Sequence, residues 1–233
     1  MIFFDLDDTL LQHSEADEEA SLSFYARHAL DLEMDVRGFQ LRWRELHAGA
    51  AGAFAAGGVD PLEQRRWSMR ELFGREFSDE EADEIYQGYL DRYQRCWRLF
   101  DDVMPCLKLL SEEQAVGIIS NGCEETELLK LRTMGIADRV LSLTVPAPQL
   151  RGKPFADIFK YAAASMGVEP RECVYVGDQL FQDAVAARNA GLRGIWLDRS
   201  RSRSQVRNVE VVHDLYELPA QLLQLRPVQI PGL

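Results

Sequence analysis

The sequence predicts an α/β protein in which a mainly parallel sheet, flanked by helices, is interrupted early by an all-helical unit. Three observations point there. An apolar run, Ile2-Phe3-Phe4, opens the chain and stops at two carboxylates, Asp5 and Asp7. Residues 15–98 then show helical patterning with no convincing strand. From Asp101 onward, short apolar runs alternate with helical segments, the pattern of a parallel sheet joined by crossover helices.

The first strand is expected at residues 2–6. Four amphipathic helices follow, from Ala16 to Ala29, Arg37 to Phe54, Pro61 to Phe73 and Asp79 to Trp97. Pro61 suits a first helical position, where its missing N–H is not needed, and Ser78-Asp79-Glu80-Glu81 reads as a capping box. The Ala/Gly-rich stretch from Ala48 to Gly58 reads as a frayed helix end and loop. Strands are then expected from Ala115 to Ser120, Arg139 to Val145, Cys173 to Gly177, Arg193 to Leu197 and Val209 to Val212. Between and after them lie helices from Pro105 to Glu113, Glu124 to Met134, Phe155 to Met166, Phe181 to Asn189 and Leu215 to Leu225. Gly135, Gly167 and Gly191 each follow a helix where a left-handed cap is wanted. Arg199 to Arg207 reads as a basic, Ser-rich, solvated connection. Because the first strand must join the later sheet, the chain divides into a discontinuous core, residues 1–14 and 99–233, and a helical unit, residues 15–98.

At 233 residues there is room for one sizeable α/β domain with a smaller unit inserted. A formal net charge of −12 argues against nucleic acid or an anionic membrane surface as partner, since both would be repelled, but leaves room for a local basic pocket holding a small anion. No stretch approaches the roughly 20 apolar residues of a membrane span. No basic leader precedes the first strand, so a cytoplasmic location is expected. Cys96, Cys106, Cys123 and Cys173 form no C-x-x-C pair or zinc spacing and read as free thiols, with Cys123 a passive small residue. The four histidines have no partner at i+3 or i+4 and read as surface or packing residues. The sequence leaves both monomer and homodimer open.

In an open parallel sheet, ligands bind beyond the carboxyl ends of the strands. The first strand ends in Asp5 and Asp7, whose mutual repulsion and desolvation are unfavourable unless a cation or basic side chain compensates. The second ends in Ser120-Asn121-Gly122. After the third comes Arg151-Gly152-Lys153-Pro154, and the fourth ends in Gly177-Asp178, with Asp183 one turn beyond. Taken singly, each has an ordinary explanation. A D-x-D is most often a solvated turn, Ser120 a strand terminus, Lys153 a solvated charge, and Asp183 a first-turn acid favoured by the helix dipole. Together they place acidic, hydroxyl and basic groups on one sheet edge.

In this order and on these strands, Asp5-Leu6-Asp7-Asp8-Thr9, Ser120-Asn121, Lys153-Pro154 and Gly177-Asp178 with Asp183 resemble the motifs of the haloacid dehalogenase-like hydrolases. The resemblance spans the whole chain and implies a Rossmann-like core, with the helical unit as a small cap of the C1 type. It implies that Asp5 is the nucleophile that forms an aspartyl phosphate, and that Asp7 is general acid for the leaving alkoxide and then base for water. It further implies Mg²⁺ held by the Asp5 carboxylate, the Asp7 main-chain carbonyl and Asp178, with Asp183 helping directly or through water. Ser120 and backbone amides near Asn121 and Gly122 would hold the phosphoryl oxygens, and Lys153 would neutralise them and Asp5. The implied partner is a small phosphorylated metabolite. Similar dehalogenases lack the second aspartate, because halide leaves without a proton, so Asp7 points away from dehalogenation. Phe155-Ala156 stand where many relatives have Asp-Pro, and Gln182 where Asn is frequent; neither position carries chemistry. A phosphomutase would use the same residues and remains an alternative. So does a non-catalytic phospho-ligand or protein-binding module, against which the presence of both Asp5 and Asp7 speaks. In the helical unit, Arg42, Arg44, Arg65 and Arg66 are candidates for a second anionic group on the substrate, although basic residues on helices are usually solvated. Trp43, Trp67, Tyr86, Tyr89, Tyr93 and Trp97 read as the unit's core. Closure of this unit would hinge near residues 12–16 and 97–102.

Overall fold

A computed structural model describes residues 1–55, 60–111, 114–202 and 209–223. Its centre is a parallel sheet of β1 (Ile2–Phe4), β2 (Val116–Ile119), β3 (Ser142–Thr144), β4 (Val174–Gly177), β5 (Arg193–Leu197) and β6 (Glu210–Val212). The strand order is β3-β2-β1-β4-β5-β6. Side chains alternate between two apolar layers. Ile2 and Phe4 of β1 join Ile118, Val176 and Ile195 against α5 (Val103–Ser111) and α9 (Leu218–Leu223). Phe3 points the other way, with Ile119 and Tyr175, onto α7 (Ala156–Ser165) and α8 (Ala186–Asn189). Burial on both faces explains why these strands read as unbroken apolar runs. The strand order reverses at β1 and β4, so the crevice beyond their carboxyl ends is the sheet's topological switch point.

Some elements depart from expectation. The strand expected at 139–145 begins only at Ser142, because Ala137–Arg139 closes a 3-10 turn. The helix expected at 181–189 opens as a π-helical turn, Leu180–Val185, before α8. The last helix spans Leu218–Leu223, shorter than the 215–225 expected, and residues 224 and 225 lie outside the described residues. Gly135, Gly167 and Gly191 do adopt positive φ, at 68°, 68° and 97°.

Between β1 and β2 come α1 (His13–Leu32), α2 (Val36–Ala55), α3 (Pro61–Phe73) and α4 (Asp79–Cys96), which share an apolar cluster of their own around Phe24, Phe39, Trp43, Met69 and Tyr89. Asp60 caps α3 by accepting from the Leu62 amide, with Pro61 in the first turn. Both halves of the Ser78/Glu81 capping box open α4. The backbone is helical through Ala55, so no fraying begins at Ala48, and residues 56–59 lie outside the described residues. Trp67 is not part of the core: it is 46% exposed, because α3 turns Ser68, Met69 and Leu72 inward instead. The two segments linking this unit to the sheet are bonded to each other, Gln12 N to Arg98 O at 2.9 Å and Phe100 N to Leu10 O at 3.1 Å.

Arg199 overturns the reading of its loop as solvated. Its guanidinium lies 3.8 Å from the Phe100 ring centroid and donates to both carboxylate oxygens of buried Asp102, at 2.7 and 3.0 Å. A further bond reaches Thr9 O at 2.8 Å, so the segment after β5 is tied to the first motif. Residues 203–207 of that loop lie outside the described residues. No helix among the described residues is long and apolar enough to cross a membrane.

Candidate active site

Asp5 follows β1 directly and is buried. Its Oδ1 accepts from Lys153 Nζ at 2.6 Å, and the same ammonium donates to Asp183 Oδ1 at 2.7 Å and to the Tyr175 hydroxyl at 2.9 Å. Burial works against the Lys153 charge, yet Asp183 and Asp5 together hold its proton above the ordinary lysine range. The lysine's loop is fixed by Asn121, whose side chain donates to Lys153 O at 2.9 Å and accepts from Lys153 N at 2.7 Å. The Asn121 side chain therefore clamps the loops after β2 and β3 together.

Asp183 reaches back to β4 from the π-helical turn, a widening often found at functional positions. Gln179 N donates to its Oδ2 at 2.9 Å. Gly177 makes room, since a Cβ there would lie 2.4 Å from the Asp183 carboxyl carbon. Thr9 bridges the remaining acids. Its hydroxyl lies 3.3 Å from Asp5 Oδ2 and 3.4 Å from Asp178 Oδ1, and accepts from Asp178 N at 3.1 Å. Trp196 anchors the Asp178 carbonyl through its indole N–H at 2.8 Å.

One carboxylate oxygen from each of Asp5, Asp178 and Asp183 falls within a 4.8 Å cluster. Three acids face a single ammonium. Burial, then Asp183 and Asp8, push the Asp178 carboxyl up to about 7. Asp5 is also pushed well up, by burial and by Asp183 and Asp178, against the pull of Lys153. A hard, all-oxygen donor set short of positive charge fits a small divalent cation.

Asp7 stands apart from this cluster. Both its carboxylate oxygens accept from Lys130 Nζ at 2.7 Å, and Lys130 also donates to Glu127 Oε1 at 2.8 Å. Burial favours the neutral Asp7 carboxyl, but Lys130, with His13 behind it, more than offsets this and lowers its proton affinity. Lys130 and Glu127 are 3% and 1% exposed. Sequence reasoning missed both, because an i,i+3 Glu/Lys pair on α6 (Glu124–Thr133) looks like a solvated helix pair. The available signal was position, since α6 starts directly after Ser120-Asn121-Gly122. Thr9 and Tyr175 were likewise given no role. Ser120 is buried, its Oγ accepting from Gly122 N at 3.2 Å, and Gly122 lies against Glu127, whose Oε1 would sit 2.2 Å from any Cβ there.

A cleft of about 250 Å³ opens beside Asp7, between the helical unit and the sheet edge. Asn121, Cys123 and Lys130 line it from below, and His47, Arg65 and Tyr86 from above. Cys123 is engaged with Thr126, Sγ to Oγ1 at 3.0 Å. His47 packs on Trp43 as expected, with ring centroids 4.3 Å apart, and also borders the cleft.

A family model described as haloacid dehalogenase-like hydrolase matches residues 1–191. The chain is 25% identical to the human N-acylneuraminate-9-phosphatase, over 95% of this chain and 92% of the human protein. It is 29% identical to a glyceraldehyde 3-phosphate phosphatase of Methanopyrus kandleri, over 96% and 95% of the two chains. Among solved structures it shares its fold with the HAD-hydrolase YfnB of Bacillus subtilis bound to magnesium, with a TM-score of 0.77, 20% identity, and coverage of 95% of this chain and 97% of that one.

Proposed function

The chain belongs to the haloacid dehalogenase-like hydrolases, and we propose that within them it is a phosphatase, hydrolysing the phosphomonoester of a small metabolite through an aspartyl phosphate. The observation that carries this reading is the separation of two aspartates into two networks. Asp5 is oriented by Lys153 beside a carboxylate cluster, while Asp7 is held by Lys130 at the mouth of the cleft. Nucleophile and proton carrier are thus distinct groups. The activities named for the human and Methanopyrus relatives agree with hydrolysis.

The Asp5 and Asp178 carboxylates and the Asp7 main-chain carbonyl, with Asp183 directly or through water, would hold Mg²⁺, which would supply positive charge to the phosphoryl oxygens when bound. Lys153 adds its own charge on the other side, and Ser120 with the amides near Asn121 and Gly122 completes the phosphate cradle. An Asp5 oxygen attacks phosphorus, the P–O bond to the alcohol breaks, and the departing alkoxide takes a proton from Asp7. Asp7, now a carboxylate bound to Lys130, removes a proton from the water that attacks the aspartyl phosphate. Inorganic phosphate leaves, Asp5 is restored, and the proton on Asp7 serves the next leaving group.

Residues 15–98 act as a cap over the core formed by residues 1–14 and 99–233, closing to exclude water and opening for release. All four cysteines are free, in keeping with a cytoplasmic enzyme. The test is free phosphate release from a panel of phosphorylated metabolites, with Mg²⁺ or EDTA, using wild type and Asp5→Asn. Mg²⁺-dependent release that disappears in a folded Asp5→Asn protein is expected. Release that survives the substitution refutes the covalent mechanism, and silence across the panel refutes the phosphatase.

A further inference from the structure

The cleft beside Asp7 receives whatever the phosphate is attached to, because Asp7 delivers its proton to the leaving oxygen there. Its roof is formed by α2, α3 and α4 of the helical unit, and the four candidate arginines of that unit, Arg42, Arg44, Arg65 and Arg66, differ sharply in what they face. Arg42 is bound to Glu71 at 2.8 Å and to Glu45 at 3.5 Å. Arg66 is held by Asp83, Glu63 and Asp79, all within 2.9 Å. Arg44 borders a separate cavity that already contains Asp17 and Glu18. Arg65 alone among them lines the cleft with Asp7 and Asn121. No carboxylate of the described residues bonds it; its guanidinium rests 5.4 Å from the Tyr86 ring centroid.

Arg65 also engages the Tyr86 hydroxyl, but a guanidinium on an aromatic face has five donors and keeps others available for a planar anion. On the floor of the cleft, Asp7 and Glu127 both point into Lys130, so neither serves as Arg65's counter-ion. The molecule as a whole carries −12, and its long-range field opposes a polyanionic ligand. A cation without an acid in the roof of the cleft is the kind of local compensation such a ligand requires.

We propose that Arg65 is a specificity-determining residue that binds a second anionic group, carboxylate or phosphate, on the alcohol portion of the substrate. The substrate class is then a phosphomonoester that carries another anion, not a neutral alcohol phosphate. This deepens the phosphatase reading and rests on it.

The experiment compares kcat/KM for matched esters whose alcohol bears a carboxylate, a second phosphate or a neutral hydroxyl at the same position, with Mg²⁺, in wild type, Arg65→Gln and Arg65→Lys. One charge-assisted contact predicts that Arg65→Gln lowers kcat/KM about 10- to 100-fold more for an anionic ester than for its neutral partner, chiefly through KM. Arg65→Lys should recover part of that loss, retaining the charge but not the fork. The arm showing the discrimination identifies the anion. Equal losses on anionic and neutral esters, or no wild-type preference for either anion, overturn the proposal. Should Arg65→Gln fail to fold, the Arg65→Lys ratio carries the same comparison. Calorimetric binding of the dephosphorylated hydroxy acid and of the alcohol phosphate product separates the two readings. If wild type hydrolyses nothing yet binds one of these more tightly than the variants do, Arg65 stands and the phosphatase falls; if the variants bind both equally well, Arg65 falls.

Discussion

Lys130→Met tests the least expected feature of the site. The ammonium is 3% exposed and makes three bonds of 2.7 to 2.8 Å, two to Asp7 and one to Glu127. Methionine keeps the apolar stem but leaves two carboxylates facing one another without a cation. Removing one partner of a buried ion pair costs about 3–5 kcal/mol. The Asp7 side chain is 28% exposed and so partly solvated, which places the expectation near the lower end, about 3 kcal/mol. Urea unfolding at neutral pH measures it. Adding Glu127→Gln removes one of the stranded charges, so the double variant should recover about 1–2 kcal/mol of the loss, a coupling typical of contacting residues. A loss below about 1 kcal/mol, with no recovery in the double variant, would show that water screens the triad as it does a surface pair, and the assignment of Lys130 as Asp7's holder would be wrong.

Three further outcomes are expected. Asp7→Asn should lower turnover by about 10² to 10⁴, and by less for p-nitrophenyl phosphate, whose leaving group departs without a proton; a uniform deficit across leaving groups removes Asp7 from proton transfer. With Asp178 raised from 3.8 to about 7, the metal-free fold gains from this group at low pH and loses that contribution as pH rises through 7. Mg²⁺ competes with that proton, so its affinity, followed by thermal shift, should rise from pH 6 to pH 8 in wild type; a flat profile contradicts the ligand assignment. Glu210 is bound by Arg193 through both its oxygens, and its proton affinity falls below the ordinary 4.5 because of those bonds and despite some burial. The pair's contribution, about 1 kcal/mol, is therefore present above pH 4.5 and lost as pH falls through the lower folded value. In Glu210→Gln that part of the acid-side slope should vanish from urea titrations.

What the sequence made legible was what local pattern encodes. Ile2-Phe3-Phe4 and Val116-Gly117-Ile118-Ile119 are buried on both faces, so their apolar runs announce parallel strands directly. Once those strands are placed, Asp5, Ser120, Lys153 and Asp178 fall on one edge by topology alone. The misses share a cause: the fate of a charge depends on what packs over it. Lys130 and Glu127, three residues apart on a helix, have the same spelling whether solvated or 1–3% exposed. Arg199 sits in a Ser/Arg stretch that looks soluble, yet it closes on Asp102 and Phe100, about 100 residues earlier in the chain. Trp67 reads in the sequence as a core aromatic alongside Trp43 and the tyrosines, whereas the helix phase set by Met69 and Leu72 turns it outward.

The same dependence on tertiary context explains how the chain tolerates two aspartates separated by one residue. Continued as a strand, Asp5 and Asp7 would point to the same side and repel. The backbone does not continue: β1 ends at Phe4, and Asp8 takes a left-handed conformation, φ 58°, with its carboxylate accepting from Ser14 N at 2.8 Å and from the Ser14 hydroxyl. Local side-chain bonding of this kind is what lets an aspartate occupy that region. The turn delivers Asp5 to Lys153 and Asp7 to Lys130, two ammonium groups from different crossovers of the sheet. Each aspartate is hydrogen-bonded to its own lysine, Asp5 to Lys153 and Asp7 to Lys130, although the Lys153 charge also reaches Asp7 at longer range. A nucleophile that must stay near a cation and a proton carrier that must exchange with water have opposite electrostatic requirements, and one shared lysine would tie the two together. The separation of the two lysines is therefore the structural condition for assigning the two aspartates different roles.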